Sequence, residues 1–252
     1  MQLITLTMQG QGVSFAPYYV KHKGNDQMTN NKTMRILIAC ECSGTVRDAF
    51  IAQGHDAYSC DIKPDEKGSN RHITADVLDV INPDNALIYG KWDMLAVMHP
   101  PCTRLCNSGV RWLKVPPPGK TLANMWDELD SGAALFDACL NADIARVAIE
   151  NPVMHKYAKE RINFNGVTPF YVQPWQFADD ESSQDNEKKR TGFWCKGLDP
   201  LKPTGKLDGT TARNSVHFAS PGKNRAADRS RFFPGMAAAM AQQWGQVINA
   251  HS

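Results

Sequence analysis

From Arg35 onward the chain alternates short apolar runs with polar turns. The run from Arg35 to Ile38, closing at Ala39-Cys40, predicts a strand. Ser43 and Gly44 supply a turn, and VRDAFIAQ (46–53) predicts a helix stopped by Gly54. DAYSCD (56–61) returns to strand character and ends on Asp61. Strand, glycine turn, helix and strand in this order make the opening βαβ unit of a doubly wound α/β sheet.

MLAVM (94–98) and RVAIE (146–150) read as interior strands, with the helix-compatible DELDSGAALFDACLNA (127–142) between them. Three prolines at 116–118 mark a loop, FYVQPWQF (170–177) and TGFWC (191–195) read as later strands, and a helix from about Gly235 to Ile248 closes the pattern. Residues 1–33 are polar and lack a sustained period, which predicts a flexible extension before a single domain spanning 34–252. Residues 200–230, rich in Pro, Gly, Lys and Arg, predict a short irregular insert.

Hydrophobic residues make up 42% and charged residues 21%, the balance of a globular domain rather than a disordered chain. No apolar run approaches the roughly 18 residues of a membrane span, and the opening residues lack the basic start and apolar stretch of a secretory signal. Seven cysteines need no disulfide scaffold at this chain length, so reduced thiols in a cytoplasm are expected. The formal charge is only +2, yet residues 186–231 hold eleven Lys or Arg against four Asp or Glu. That segment is either a contact for a phosphate backbone, with Arg213, Lys223 and Arg225 as candidate contacts, or a solvated basic loop.

The loop CECSGTV after the first strand is suited to close approach of a ligand, since Ser43 and Gly44 are small and the helix behind it is expected to offer free N–H groups. Cys40, Glu41, Ser43, Gly44 and Thr45 are therefore candidate cofactor residues. Asp61, at a strand end, is placed to accept from a ribose diol, and Asp76 is a second acceptor candidate; each is also suited to capping a helix or turn. A nicotinamide dinucleotide would use a similar arrangement, but its G-x-G-x-x-G fingerprint is absent.

HPPCTRLCNSG (99–109) carries the most chemistry. Pro100 and Pro101 stiffen the backbone before Cys102, and a rigid, partly exposed thiol at a strand end suits a nucleophile. A structural cysteine, or a metal set of His99, Cys102 and Cys106, is the alternative; such a set needs a fourth ligand and no CxxC pair elsewhere supplies one, so no metal is expected. Glu150 ends an otherwise apolar strand, where an acid without a task is costly to bury. It is either a proton donor to an aromatic nitrogen or a turn cap. Because ligands sit outside the carboxyl ends of the strands in open α/β sheets, Cys102 and Glu150 are expected to meet across one crevice.

These residues resemble the DNA (cytosine-5)-methyltransferase family, most closely its small phage-type members. Pro100, Pro101 and Cys102 match the family's Pro-Pro-Cys motif, Glu150 and Asn151 its Glu-Asn dipeptide, 40–45 its first loop and Asp61 its ribose-binding acid. Asn186, Lys188 and Arg190 loosely match a basic motif that helps seat the base, and RFFPGMAAAMAQQW resembles the stretch that returns to the cofactor site. The resemblance implies a Rossmann-like S-adenosylmethionine-dependent methyltransferase fold, with 200–230 standing in place of a large target-recognition domain. It implies S-adenosylmethionine as cofactor and C5 methylation of cytosine, in DNA first of all, through a covalent bond from Cys102 to C6. Asn151, Lys188 and Arg190 would position the base with the two prolines. Arg104 and Arg111 would touch phosphates near the nucleophile, or else be ordinary surface residues. A free pyrimidine nucleotide or RNA is the rival substrate. An amino-group methyltransferase and a non-catalytic nucleic-acid-binding protein on the same scaffold are the rival activities.

Overall fold

Each interior strand is buried on both faces, so its alternate residues feed two separate cores. A computed structural model describes residues 32–215 and 232–246. Its strands are β1 (Arg35–Ala39), β2 (Asp56–Asp61), β3 (His72–Thr74), β4 (Met94–Val97), β5 (Arg146–Asn151), β6 (Phe170–Val172) and β7 (Thr191–Lys196). Its helices are α1 (Thr45–Ala52), α2 (Val77–Ile81), α3 (Ala86–Tyr89), α4 (Leu122–Leu140), α5 (Lys156–Lys159) and α6 (Pro234–Trp244). The seven strands form one sheet in the order β3-β2-β1-β4-β5-β7-β6. β1 to β5 pair in parallel, and β7 runs antiparallel to both of its neighbours.

Leu37, Leu95, Val97, Val147 and Ile149 face α4, whose Met125, Leu129, Ala133 and Phe136 recur at helical spacing. Thr121 starts that helix with a capping box to Asn124. Phe136 meets Trp194 edge to face, with ring centroids 5.4 Å apart. Ile36, Ile38, Ala96, Ala148 and Phe193 point the other way, onto α1 and α6. The sheet is thus covered on both faces, as the strand pattern predicts.

Several expectations need correction. FYVQPWQF is a strand only over Phe170–Val172; Pro174 then opens a 3-10 turn through Phe177, since proline cannot donate to a ladder. The long helix begins at Leu122, ahead of the expected start, because Thr121 caps it there. Short β3 and α2 had no periodic signal. The expected extension over 1–33 falls almost wholly outside the described residues, as do the expected insert from 216 onward, Lys223, Arg225 and the last two residues of the expected closing helix. Residues 201–215 are irregular, apart from an isolated bridge between Glu187 and Arg213.

All seven cysteines are free thiols. Among the described residues, no helix is long and apolar enough to cross a membrane, and no three His, Cys, Asp or Glu side chains gather as a metal set.

Candidate active site

The carboxyl ends of β1, β2 and β4 border a cavity of about 1170 Å³, large enough for a nucleoside-sized ligand. Cys40, Asp61 and Asp76 line it, together with His99, Pro101 and Arg104. Asp61 accepts the Lys63 N–H on one carboxylate oxygen at 3.0 Å. Asp76 caps α2 through the Leu78 N–H at 2.9 Å, so the capping role applies to it even as it borders the cavity. Ile62 and Leu78, both exposed, add apolar surface beside these acids. Acceptors for a diol and an amino group, flanked by aliphatic side chains, fit the adenosine half of S-adenosylmethionine.

The first loop is built differently from its expected use. Glu41 is buried and turns its carboxylate onto the start of α1, accepting from the Val46 N–H at 2.8 Å and the Arg47 N–H at 3.3 Å. The Ser43 hydroxyl accepts from the Thr45 N–H. The expected free N–H groups are therefore occupied from within. Glu41, Ser43, Gly44 and Thr45 do not border the cavity; Cys40 alone of this loop does. Gly44 takes φ 69°, and a Cβ there would lie 2.1 Å from the Arg47 guanidinium, so only glycine fits. That guanidinium is buried with Asp65, 2.6 Å away, and with the Ser59 hydroxyl, 2.8 Å away. Cys40 itself holds φ 54°, a left-handed conformation that costs a non-glycine residue on the order of 1–3 kcal/mol.

Cys102 follows β4 in a turn whose Cys102 carbonyl accepts from the N–H groups of Leu105 and Cys106. Gly132 of α4 lets this segment approach; a Cβ there would stand 3.0 Å from the Pro101 carbonyl oxygen. The turn is stitched to the chain that leaves β5. Asn107 N–H donates to the Val153 carbonyl at 3.0 Å, His155 N–H donates to the Leu105 carbonyl at 3.1 Å, and Cys106 bridges Met154. His155 accepts from the Ala158 N–H on Nδ1, which puts its proton on Nε2, and Nε2 donates to the Arg104 carbonyl at 2.6 Å.

Burial pushes the Glu150 carboxyl up to about 7, with the Lys189 cation pulling the other way. The Cys102 thiol is pushed up to about 12 by burial and then by the Glu150 carboxylate. The thiol thus feels the Glu150 charge, although neither side chain is among those lining the cavity; it is protonated at neutral pH and requires a proton acceptor to become a nucleophile. His99 is held neutral, its pKa lowered to about 3 by burial and by Lys189. Its Nε2 is buried without a hydrogen-bond partner, as is Oδ1 of Asn151, whose amide Nδ2 donates to the Pro152 carbonyl. Each such orphan costs about 1–3 kcal/mol.

Lys189 is the residue sequence reasoning missed. Lys188 and Arg190 are exposed, and Arg190 lies over the Tyr171 ring at 4.3 Å. Strand periodicity held the signal. Glu150 pairs with Phe193 in the ladder, and counting back in twos from Phe193 reaches Lys189 rather than its neighbours. Asn186 is buried, its amide donating to the Glu181 carbonyl, so it braces a loop rather than facing the cavity.

Two of the expected phosphate contacts are corrected. Arg104 is buried and paired with Glu128 at 2.8 Å. Arg213 donates to the Glu187 carboxylate at 2.9 Å and to the carbonyls of Glu181 and Ser183, so its guanidinium braces the 181–187 loop. Arg111 stays exposed, stacked over Trp112 at 4.2 Å.

No protein-family model and no curated protein matches the chain. Among solved structures it is similar to an E. coli protein encoded within a prophage and described as a DNA modification methyltransferase, with TM-score 0.42 and 13% identity over 68% of this chain and 51% of that one. It is also similar to the Entamoeba histolytica methyltransferase EhMeth, with TM-score 0.43 and 14% identity over 77% of this chain and 62% of that one. The matched region spans less than two thirds of either structure. Five parallel strands in the order 3-2-1-4-5, completed by a reversed β7 inserted before β6, give the chain the Rossmann-like fold of S-adenosylmethionine-dependent methyltransferases.

Proposed function

We propose that this chain is an S-adenosylmethionine-dependent methyltransferase acting on C5 of cytosine, in DNA first of all, with Cys102 as nucleophile and Glu150 as proton donor. The observation that carries the reading is a buried carboxyl at the end of β5, pushed up to about 7, whose charge reaches the Cys102 thiol on a proline-stiffened turn. Pro101 and Thr103, on either side of that thiol, border the nucleoside-sized cavity. Asp61 would hold the ribose, Asp76 the adenine edge, and Ile62 and Leu78 the ring faces. When bound, S-adenosylmethionine supplies an electrophilic methyl group.

The ring must become nucleophilic to use it. Cys102 Sγ bonds C6 as its proton leaves to solvent, the C5–C6 π pair moves toward C5, and Glu150 delivers its proton to N3. Once C5 carries its methyl group, loss of the C5 proton to water restores the double bond and expels Cys102, while Glu150 takes its proton back from N3. Lys189 lowers the cost of the charges that form on Cys102 and Glu150. A base in a duplex would first be flipped out. We read 34–252 as one catalytic domain, 1–33 as an extension and 200–230 as an insert. The engagement of Arg104 and Arg213 within the protein leaves fewer contacts for a phosphate backbone and favours, as second reading, a free pyrimidine nucleotide.

The test is mass spectrometry of reactions with labelled S-adenosylmethionine, offering duplex DNA, single-stranded DNA, RNA and deoxycytidine monophosphate in parallel. A 5-fluorocytosine substrate should leave an adduct on Cys102, because fluorine cannot depart as the C5 proton does. An adduct on Cys106, or full turnover by Cys102→Ser, would sink the assignment. Calorimetry should show S-adenosylmethionine binding weakened about tenfold in Asp61→Ala, about 1.4 kcal/mol.

A further inference from the structure

His99 has no task in the scheme above, yet its position singles it out. It stands three residues before Cys102, lines the cavity, and keeps Nε2 buried with no partner. The Phe232 ring meets it edge on, with centroids 5.9 Å apart. A hydrogen bond to the Cys40 backbone favours the protonated ring, so the Cys40 group is an acceptor and occupies the one donor of a neutral imidazole. The orphan Nε2 is therefore a lone pair, an acceptor awaiting a donor.

The chemistry of the ring says which donor. With Glu150 at N3 and Cys102 at C6, two opposite corners of a pyrimidine are fixed. The corner next to N3 on the way to C5 is C4, and C5 must face the cofactor cavity. His99 borders that cavity, and because the parallel β4–β5 ladder pairs Val97 with Ile149, the chain leaving β4 at His99 runs beside the end of β5 that carries Glu150 and Asn151. An acceptor there, next to the strand end that carries the carboxyl and open to the cavity, would face the C4 substituent of a ring held at N3 and C6.

We infer that His99 Nε2 accepts a hydrogen bond from the exocyclic amino group at C4 of the target pyrimidine, and so selects amino- over non-amino pyrimidines. This rests on the pyrimidine reading and adds to it. A base that brings a donor satisfies the buried lone pair; one without it leaves that lone pair orphaned, which is how polar sites reject analogues. General-base work at C5 is poorly served by a ring of such low basicity.

The test compares oligonucleotides carrying 5-fluorocytosine with otherwise identical ones carrying 5-fluoropyrimidin-2-one. The latter lacks the amino group but keeps the N3 acceptor, so the Glu150 contact is constant. The readout is the ratio of adduct-forming rates, amino over non-amino, for the full chain with S-adenosylmethionine. Comparing that ratio between proteins cancels the intrinsic reactivity of the two rings. His99→Phe keeps the aromatic contact with Phe232 but removes the lone pair, and its ratio should fall about tenfold or more. His99→Gln retains an acceptor of similar reach and should hold the ratio near wild type. An unchanged ratio in both variants overturns the inference, as does a loss confined to S-adenosylmethionine affinity, which would assign Nε2 to the cofactor. If the wild type captures neither probe, the pyrimidine reading itself fails and this inference with it.

Discussion

Nε2 of His155 donates to the carbonyl oxygen of Arg104 at 2.6 Å, across 51 residues of sequence, and ties the exit from β5 to the turn that carries Cys102. Both ring nitrogens are used, and the residue is buried. His155→Phe keeps most of the volume but orphans the Arg104 carbonyl and the Ala158 N–H. Denaturant unfolding should show a loss of about 1–3 kcal/mol for each buried group that finds no water. His155→Gln should recover part of it.

Glu150 makes stability fall with rising pH. Its folded-state pKa of about 7 stands above the ordinary 4.5, so its neutral form is the one the fold favours. The contribution is fully present below about pH 4.5 and is lost as pH rises through 7. Glu150→Gln imitates the neutral acid. Melting or denaturant curves should show the variant more stable than wild type at pH 8, by on the order of 3 kcal/mol, with the gap closing by pH 4. A gap that does not vary with pH would contradict the burial of the carboxyl.

The reactivity of Cys102 should report the same pair. Its thiol, pushed up to about 12 by burial and by the Glu150 carboxylate, should alkylate slowly with iodoacetamide at pH 8. Glu150→Gln removes the carboxylate and should speed alkylation several-fold. Lys189→Met removes the opposing cation and should slow it. Peptide mapping separates Cys102 from the other six thiols, and equal rates in all three proteins would detach Lys189 and Glu150 from Cys102.

Arg213 and Lys188 should separate bracing from binding. Arg213→Glu sets a second carboxylate against Glu187 and frees the carbonyls of Glu181 and Ser183, so melting should drop, by about 2 kcal/mol or more. Lys188→Glu lies on an exposed side chain and should leave melting unchanged, while weakening any salt-sensitive hold on nucleic acid. Gel-shift titrations at two salt concentrations distinguish the two effects.

The parts of this fold legible in the sequence were those written in local pattern. β1, β4 and β5 are apolar runs because both of their faces are buried, and the proline pair and Glu-Asn dipeptide mark two strand ends. What escaped was set by partners distant in sequence. Arg213 reads as a surface cation until Glu187, twenty-six residues earlier, claims it. Arg104 does so until Glu128 is seen beside it. β3 has three residues, too few to display a period. Lys189 was within reach of the pattern, had the strand alternation been extended backward from Phe193. Glu41 reads as a cofactor residue on an open loop, and nothing local tells that its carboxylate folds under the helix that follows.

That inward turn of Glu41 bears on the thermodynamics of ligand capture. A loop whose N–H groups are already satisfied has little left to order when a ligand arrives. Binding should therefore resemble docking to a preformed cleft, with a small entropic cost, modest rearrangement and an association rate governed by diffusion and charge. It also moves the burden of grip away from the helix start and onto the strand-end acids and their aliphatic neighbours. Affinity should then track the nucleoside half of the ligand far more closely than its amino-acid half.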